Sequence, residues 1–251
     1  MIKTAKEGAV VVATLSRPPV NALNEEMVTR LHAILDEVIA DESITVLHLR
    51  SDQKIFSAGA DLALMHSCFS TPTGPDEMVK VVREMQDLYS RIESAPVVSV
   101  AELANTAMGG GMELALACDI RVAATEAKLG LPESKLGLLP GAGGTQRLAR
   151  LCGQGVANRL ILGAEIVDGL EAERLGLVEW AKPRAELAQW TAKIVARFAA
   201  IPRAAIAANK RCIALANNPD GSGYAAEISL TRALYDHPET RRRVSEFLAK
   251  T

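Results

Sequence analysis

The chain lacks any cysteine pair at C-x-x-C spacing. Cys68, Cys118, Cys152 and Cys212 are widely separated, and no histidine stands beside them at metal-ligand spacing. That excludes the common zinc and redox motifs, so no metal site is expected, and free thiols in a reducing compartment fit best. An overall basic field is absent too. The formal net charge is −2, which gives nucleic acid no general attraction. The one dense cationic run, Arg241 to Arg243, reads as the surface of a helix. Long hydrophobic runs are also missing. After Lys3 and Lys6, the apolar stretch Ala9 to Leu15 halts at Ser16-Arg17-Pro18-Pro19 and reads as a strand, not a signal peptide or span. The cytoplasm is the expected location, with no membrane partner. Finally, there is no G-x-G-x-x-G fingerprint, no Walker A loop and no G-x-S-x-G elbow. Dinucleotide, P-loop and serine-hydrolase readings fall away.

What remains is a chain of 251 residues with 49% hydrophobic and 23% charged side chains, long enough to bury a sizeable core. Strand and helix signals alternate through its first three quarters. Val10 to Leu15, Ile44 to Leu49, Val97 to Val100, Ile120 to Ala124 and Leu177 to Ala181 read as strands. Helices are expected from Asn24-Glu25, with Met27, Leu31, Ile34, Leu35 and Val38 on one face, from Pro75 to Glu93, over Gly109–Cys118, and over Gly143–Cys152. The turn-rich stretch Ser70 to Pro75 reads as a mobile surface loop. Such alternation argues for an α/β architecture. From Arg184 onward strands vanish, and Glu186–Ala199, Pro202–Ala216, Gly221–Tyr235 and Pro238–Lys250 read as helices. The expected division is a catalytic core over 1–185 and a helical region over 186–251. The apolar faces of those helices have no sheet partner in sequence, which points to packing against other subunits.

Chemistry concentrates between Met108 and Leu148. Gly109-Gly110-Gly111 opens a helix whose first N–H groups have no intrahelical acceptor, so an anionic oxygen there is stabilised. Close helix–sheet packing would explain the glycines equally well. Glu113 lies one turn into an otherwise apolar segment, where a carboxylate needs a partner or a task. Glu133 follows twenty residues later on a Pro132-Glu133 step, and a short helix start is its plain alternative. Gly141 to Thr145 reads as helix entry, with Thr145 a possible cap. In Ser57-Ala58-Gly59-Ala60-Asp61, Gly59 allows a ligand close to main chain and leaves N–H groups pointing at an oxygen. Two carboxylates beside backbone stripped of side chains suit acid–base chemistry next to a stabilised enolate.

Taken in order, Arg17-Pro18 to Asn21-Ala22-Leu23-Asn24, Phe56 to Leu62, Gly109 to Ile120, and Pro132-Glu133 through Arg147-Leu148 closely resemble the crotonase (enoyl-CoA hydratase/isomerase) superfamily. The resemblance implies a spiral of ββα repeats, a C-terminal helical trimerisation region, and a homotrimer or dimer of trimers. It implies acyl-CoA thioesters as substrates and no separate cofactor, coenzyme A being part of the substrate. Carried over residue by residue, the N–H groups of Ala60 and Gly110 correspond to an oxyanion hole. Ala22, Ala58, Gly59, Asp61 and Leu62 match the acyl-CoA site, with the Ala58 carbonyl facing the adenine. Glu113 and Glu133 match the two catalytic acids of the hydratases. Isomerases typically keep the acid at the Glu133 position and lose the other, so the pair implies syn addition of water to a trans-2-enoyl-CoA. A Δ3,Δ2-enoyl-CoA isomerase, or a non-catalytic acyl-CoA- or RNA-binding member, is the alternative. One segment departs from the family pattern. Glu102 to Met108 replaces a shorter run ending in a glycine and an aromatic, and is expected to alter acyl specificity. The Arg17–Asn21 and Ser70–Pro75 segments are further candidates for reshaping the acyl pocket.

Overall fold

The computed structural model describes residues 1–216, 218 and 220–249, with Leu62 described in its backbone alone. Ten strands form two sheets. The larger holds β1 (Ile2–Glu7), β2 (Val10–Leu15), β3 (Val46–Ser51), β5 (Val98–Leu103), β7 (Ile120–Ala124) and β10 (Trp180–Lys182), in that spatial order. The smaller holds β4 (Ile55–Ser57), β6 (Thr106–Met108), β8 (Lys128–Gly130) and β9 (Ile166–Asp168). Helices α1 (Glu25–Ala40), α2 (Leu62–Cys68), α3 (Gly74–Ser94), α4 (Gly110–Leu116), α5 (Gly144–Cys152), α6 (Gln154–Ala157) and α7 (Gly169–Arg174) pack among them. Four more close the chain: α8 (Arg184–Ala199), α9 (Arg203–Ala214), α10 (Ser222–Asp236) and α11 (Pro238–Leu248).

The repeat is visible in the pairing. Strands β3, β5 and β7 run parallel in the large sheet, while β4, β6 and β8 run parallel in the small one. Each passage through the spiral therefore adds one strand to each sheet before a helix returns the chain. The central large-sheet strands β2, β3, β5 and β7 are largely buried on both faces because helices cover them, as parallel sheets require. Val46, Leu49, Val100, Leu103, Val122 and Ala123 are fully buried.

Strand β1 carries no hydrophobic alternation and escapes a sequence reading; only its antiparallel pairing with β2 makes it a strand. The three-residue strands β4, β6 and β9 are too short for any periodicity signal. Around the expected mobile loop, Phe69 to Thr73 forms a compact turn between α2 and α3. The departing segment Glu102–Met108 is the end of β5, a two-residue corner and β6.

Helix α1 begins where Asn24 accepts the Met27 N–H at 3.0 Å, and buries Met27, Leu31, Ile34, Leu35 and Val38 as its spacing predicts, with Val28 added. The C-terminal helices divide. Helix α8 lies across β3, β5, β7 and β10, burying Leu187, Thr191, Ile194 and Val195. Helix α9 is tied to the core by Lys210, whose Nζ is 2.7 Å from Asp119, and by Arg203, which donates to the Asp41 carbonyl at 2.7 Å. Only α10 and α11 bury no side chain. Residue 185 thus falls in the first turn of a helix that packs on the core. Lys250, at the expected end of the last helix, lies outside the described residues.

Candidate active site

The small sheet sets the site. Its strands β4, β6 and β8 end side by side, and the segments leaving their carboxyl ends carry Ala58–Ala60, Gly109–Gly110 and Glu133. Open α/β sheets offer ligands this edge generally. An isolated bridge between Leu23 and Ala60 extends the edge by one more segment. The three segments and Glu113 line one cavity of about 340 Å³.

Close approach explains the glycines. Gly59, at φ +93°, sits so near the neighbouring segment that a Cβ would meet the Gly110 nitrogen at 2.9 Å. A Cβ on Gly111 would lie 2.5 Å from the Ser57 side chain. Ala60 and Gly110 both line the cavity, and the N–H of neither has an acceptor among the described residues. The neighbouring Gly59 N–H is committed to Ser57 Oγ at 3.1 Å, so Gly59 contributes shape rather than a donor. Tyr89 on α3, fully buried, donates its hydroxyl to the Gly110 carbonyl at 2.8 Å and fixes that peptide plane.

The two acids reach the same cavity from different elements. Glu113, 3% exposed, projects from α4 and accepts the Gly144 N–H at 2.7 Å. Gly144 has to be glycine: a Cβ would stand 3.0 Å from Glu113 Oε1 and 2.8 Å from Pro140. Burial pushes the Glu113 carboxyl up to about 7; the Gly144 amide opposes this and the Glu133 charge adds to it. Glu133, half-buried in the 3-10 turn Pro132–Leu136, is also raised by burial. Its Oε2 is enclosed without a hydrogen-bond partner, and a Cβ on Gly109 would come within 2.9 Å of its Oε1. A carboxyl oxygen left unpaired beside the first acid is costly unless it meets a ligand.

Other expected site residues lie elsewhere. Ala58 is exposed at the cavity's edge, and its N–H bonds the Val20 carbonyl at 3.0 Å. Asp61 and Ala22 do not line the cavity: Asp61 is bound to Arg17 at 2.9 Å and caps α2 through Ala63, while the Ala22 carbonyl accepts from Arg17 at 2.8 Å. They hold the oxyanion segment in place. Leu62 opens α2 with its side chain outside the described residues. The Glu102–Met108 segment does not reach the cavity and cannot shape an acyl pocket directly; nor does Arg17–Asn21. Gly74 and Pro75 do line it. Thr145 makes no cap; Gly143, at φ +106°, opens α5 instead.

Four contributors escaped the sequence reading. Gly144 read as plain helix entry, Tyr89 was not singled out, and the wall formed by Met78, Val82 and Met85 carried no signal beyond helical spacing. Arg147 is another: it spans the Ala142 carbonyl at 2.9 Å and Glu93 at 2.6 Å, bracing the loop that holds Glu113. Among the described residues no cluster of His, Cys, Asp and Glu could hold a metal, and no helix is long and apolar enough to cross a membrane.

Comparison with known proteins agrees on one family. A profile described as Enoyl-CoA hydratase/isomerase matches residues 5–251. A probable enoyl-CoA hydratase of Bacillus subtilis is 40% identical over 199 residues, 79% of this chain and 76% of that protein. A mitochondrial methylglutaconyl-CoA hydratase of Mus musculus is 42% identical over 159 residues, 63% of this chain; the match spans 49% of that protein, about half its length. Among solved structures, DspI of Pseudomonas aeruginosa superposes with a TM-score of 0.92 at 34% identity, covering 99% of this chain and 94% of that one. An enoyl-CoA hydratase structure from Geobacillus kaustophilus gives 0.93 at 32% identity, with 99% and 94% covered.

Proposed function

The chain belongs to the enoyl-CoA hydratase/isomerase family, and within it we propose that the protein is an enoyl-CoA hydratase, adding water to a trans-2-enoyl-CoA to give a 3-hydroxyacyl-CoA. The observation that carries this reading is a buried acid, Glu113, and a half-buried one, Glu133, lining one cavity with two unpaired amides at its wall. A proton acceptor near pH 7 is matched to general-base work, and burial has moved Glu113 there. Glu113 takes a proton from water as its oxygen bonds to Cβ. The π electrons move onto the thioester oxygen, which rests between the Ala60 and Gly110 N–H groups. Glu133, protonated, delivers its proton to Cα on the same face, and proton exchange with solvent resets both acids. Each oxyanion donor of this kind contributes about 3 kcal/mol to transition-state stabilisation.

Isomerisation of a 3-enoyl-CoA needs only one acid to carry a proton between carbons, and leaves the second without a role. A panel of 2-enoyl- and 3-enoyl-CoA thioesters separates the two. Loss of the conjugated chromophore with a gain in mass of one water supports hydration. Migration of the double bond at constant mass overturns it. The thioester's coenzyme A is the only group required, with Ala58, Ala22 and Leu62 flanking it. Neither a cofactor nor a nucleic acid enters this reading, and the chain works in the cytoplasm. Helices α10 and α11 expose Tyr224, Ile228, Tyr235 and Val244, an apolar face suited to a homotrimer or a dimer of trimers. Sedimentation equilibrium giving a monomer mass would remove that assembly.

A further inference from the structure

The cavity extends beyond the reacting groups, and its far part is built of one kind of surface. Helix α3 presents Met78, Val82 and Met85 to it, a spacing that puts all three on one helical stripe. The stripe has a direction. Met85 stands at the reaction centre, where a Cβ on Gly110 would meet its methyl at 2.8 Å. Val82 lies beside Gly141, 3.3 Å from the position of a Cβ there. Met78 comes last, toward the corner where Phe69 and Gly74 join α2 to α3. Facing the stripe, α2 starts just after Ala60 and supplies Met65 and Phe69. Two helices thus leave the oxyanion segment together and enclose an apolar slot between them. From Met85 to Met78 the helix rises about 10 Å. An extended alkyl chain advances somewhat over 1 Å per bond, so about eight carbons fill that length.

Charge is the second constraint. No lysine, arginine or histidine lines the cavity, whose ionisable side chains are Glu113, Glu133 and Cys68. Arg147 is bound to Glu93 and to the Ala142 carbonyl, and His66 on α2 packs edge-on against Phe69 outside the lining. An acyl group ending in a carboxylate would bury a negative charge beside two acids in an apolar enclosure, with no partner for it.

We propose that this slot selects an uncharged aliphatic acyl chain of medium length, laid along Met85, Val82 and Met78, and rejects acyl groups that end in a carboxylate. The proposal rests on the acyl-CoA reading of the site but not on which reaction follows. It also separates this protein from relatives whose names specify a dicarboxylic acyl group, such as the methylglutaconyl-CoA hydratase above.

Saturated thioesters test it without turnover. Titration calorimetry on the full chain with butyryl-, pentanoyl-, octanoyl- and glutaryl-CoA gives the ranking. Each fully buried methylene is worth about fourfold in affinity, so octanoyl-CoA is expected to bind at least tenfold tighter than butyryl-CoA. Glutaryl-CoA is expected at least tenfold weaker than pentanoyl-CoA, its uncharged counterpart in length. Met78→Trp should erase most of the octanoyl advantage; should that variant not fold, Met78→Ala should lower octanoyl affinity more than butyryl affinity. Equal binding of butyryl- and octanoyl-CoA, or glutaryl-CoA binding as well as pentanoyl-CoA, overturns the proposal. Hydration assays on the matching 2-enoyl-CoAs run beside it. If no chain is hydrated while the ranking holds, the hydratase reading falls and the acyl selection stands.

Discussion

The two sheets grow from the same ββα turns, yet they are finished differently. The large sheet has six-residue strands at its centre, β-branched and leucine side chains on both faces, and α8 laid over it. Several of its polar groups are matched: Asp119 accepts from Ser99 and Lys210, and Arg121 pairs with Glu179, although Trp190 Nε1 and Thr191 Oγ1 of α8 are enclosed without partners. The small sheet has three-residue strands ended by glycines, two N–H groups without acceptors, and a carboxyl oxygen enclosed without a donor. In the small sheet the open groups gather on one cavity, where a ligand can meet them. Stability and chemistry are therefore segregated between the ends of the same repeats.

The sharpest way to break that comparison is at Glu113. Glu113→Gln should lower kcat by about 10²–10⁴-fold, the range for loss of a positioned general base, and Glu133→Gln should do likewise. Steady-state hydration kinetics check both, and near-normal turnover in either variant would deny the small sheet its chemical role.

Next in size is the opposite substitution. Leu49→Ala, in the middle of β3 and fully buried, should cost about 2–5 kcal/mol of stability while leaving kcat near that of the parent. Urea unfolding beside a rate assay reads both; a large loss of kcat in the folded variant would mean the sheets are coupled.

A pH series sharpens the contrast further. In the unfolded chain Glu113 titrates near 4.5, and in the fold burial raises it to about 7. The folded state holds the proton more tightly, so this group favours folding below pH 4.5 and that contribution is lost as pH rises through 7. Glu113→Gln should then unfold with about 3 kcal/mol more stability than the parent at pH 8, and with no advantage at pH 4. Equal stability at both pH values would mean that the acid is not strained by its site. Turnover should fall as pH drops below about 7 for the same reason. The smallest effect is expected at Tyr89→Phe. Losing its bond to the Gly110 carbonyl should cost about 1 kcal/mol of stability, with kcat little changed, because that carbonyl belongs to the Gly110–Gly111 peptide and not to the one carrying the Gly110 N–H.

Much of this was legible in one dimension. The helices α1 and α3 and the strands β2, β3 and β7 declared themselves through residue pattern, because each buries a continuous apolar face. The four short strands of the site region did not, since three residues give no period to read. Glu113, Glu133, Ala60 and Gly110 were found by motif. Gly144, Tyr89 and Arg147 were not, because each acts on a partner distant in sequence: Gly144 on Glu113, Tyr89 on Gly110, Arg147 on Glu93. Asp61 matched the acyl-CoA site by motif, while its bond to Arg17, which anchors its loop, gave no signal in the sequence.

By itself the order of residues determined the α/β character, the helical C-terminus and the kinds of groups available for chemistry, since these follow from local spacing and residue type. Tertiary structure alone decided which of those groups meet. The raised proton affinity of Glu113, the open amides of Ala60 and Gly110, and the apolar slot beside α3 depend on burial and close approach, and both arise only when segments far apart in the chain are brought against one another.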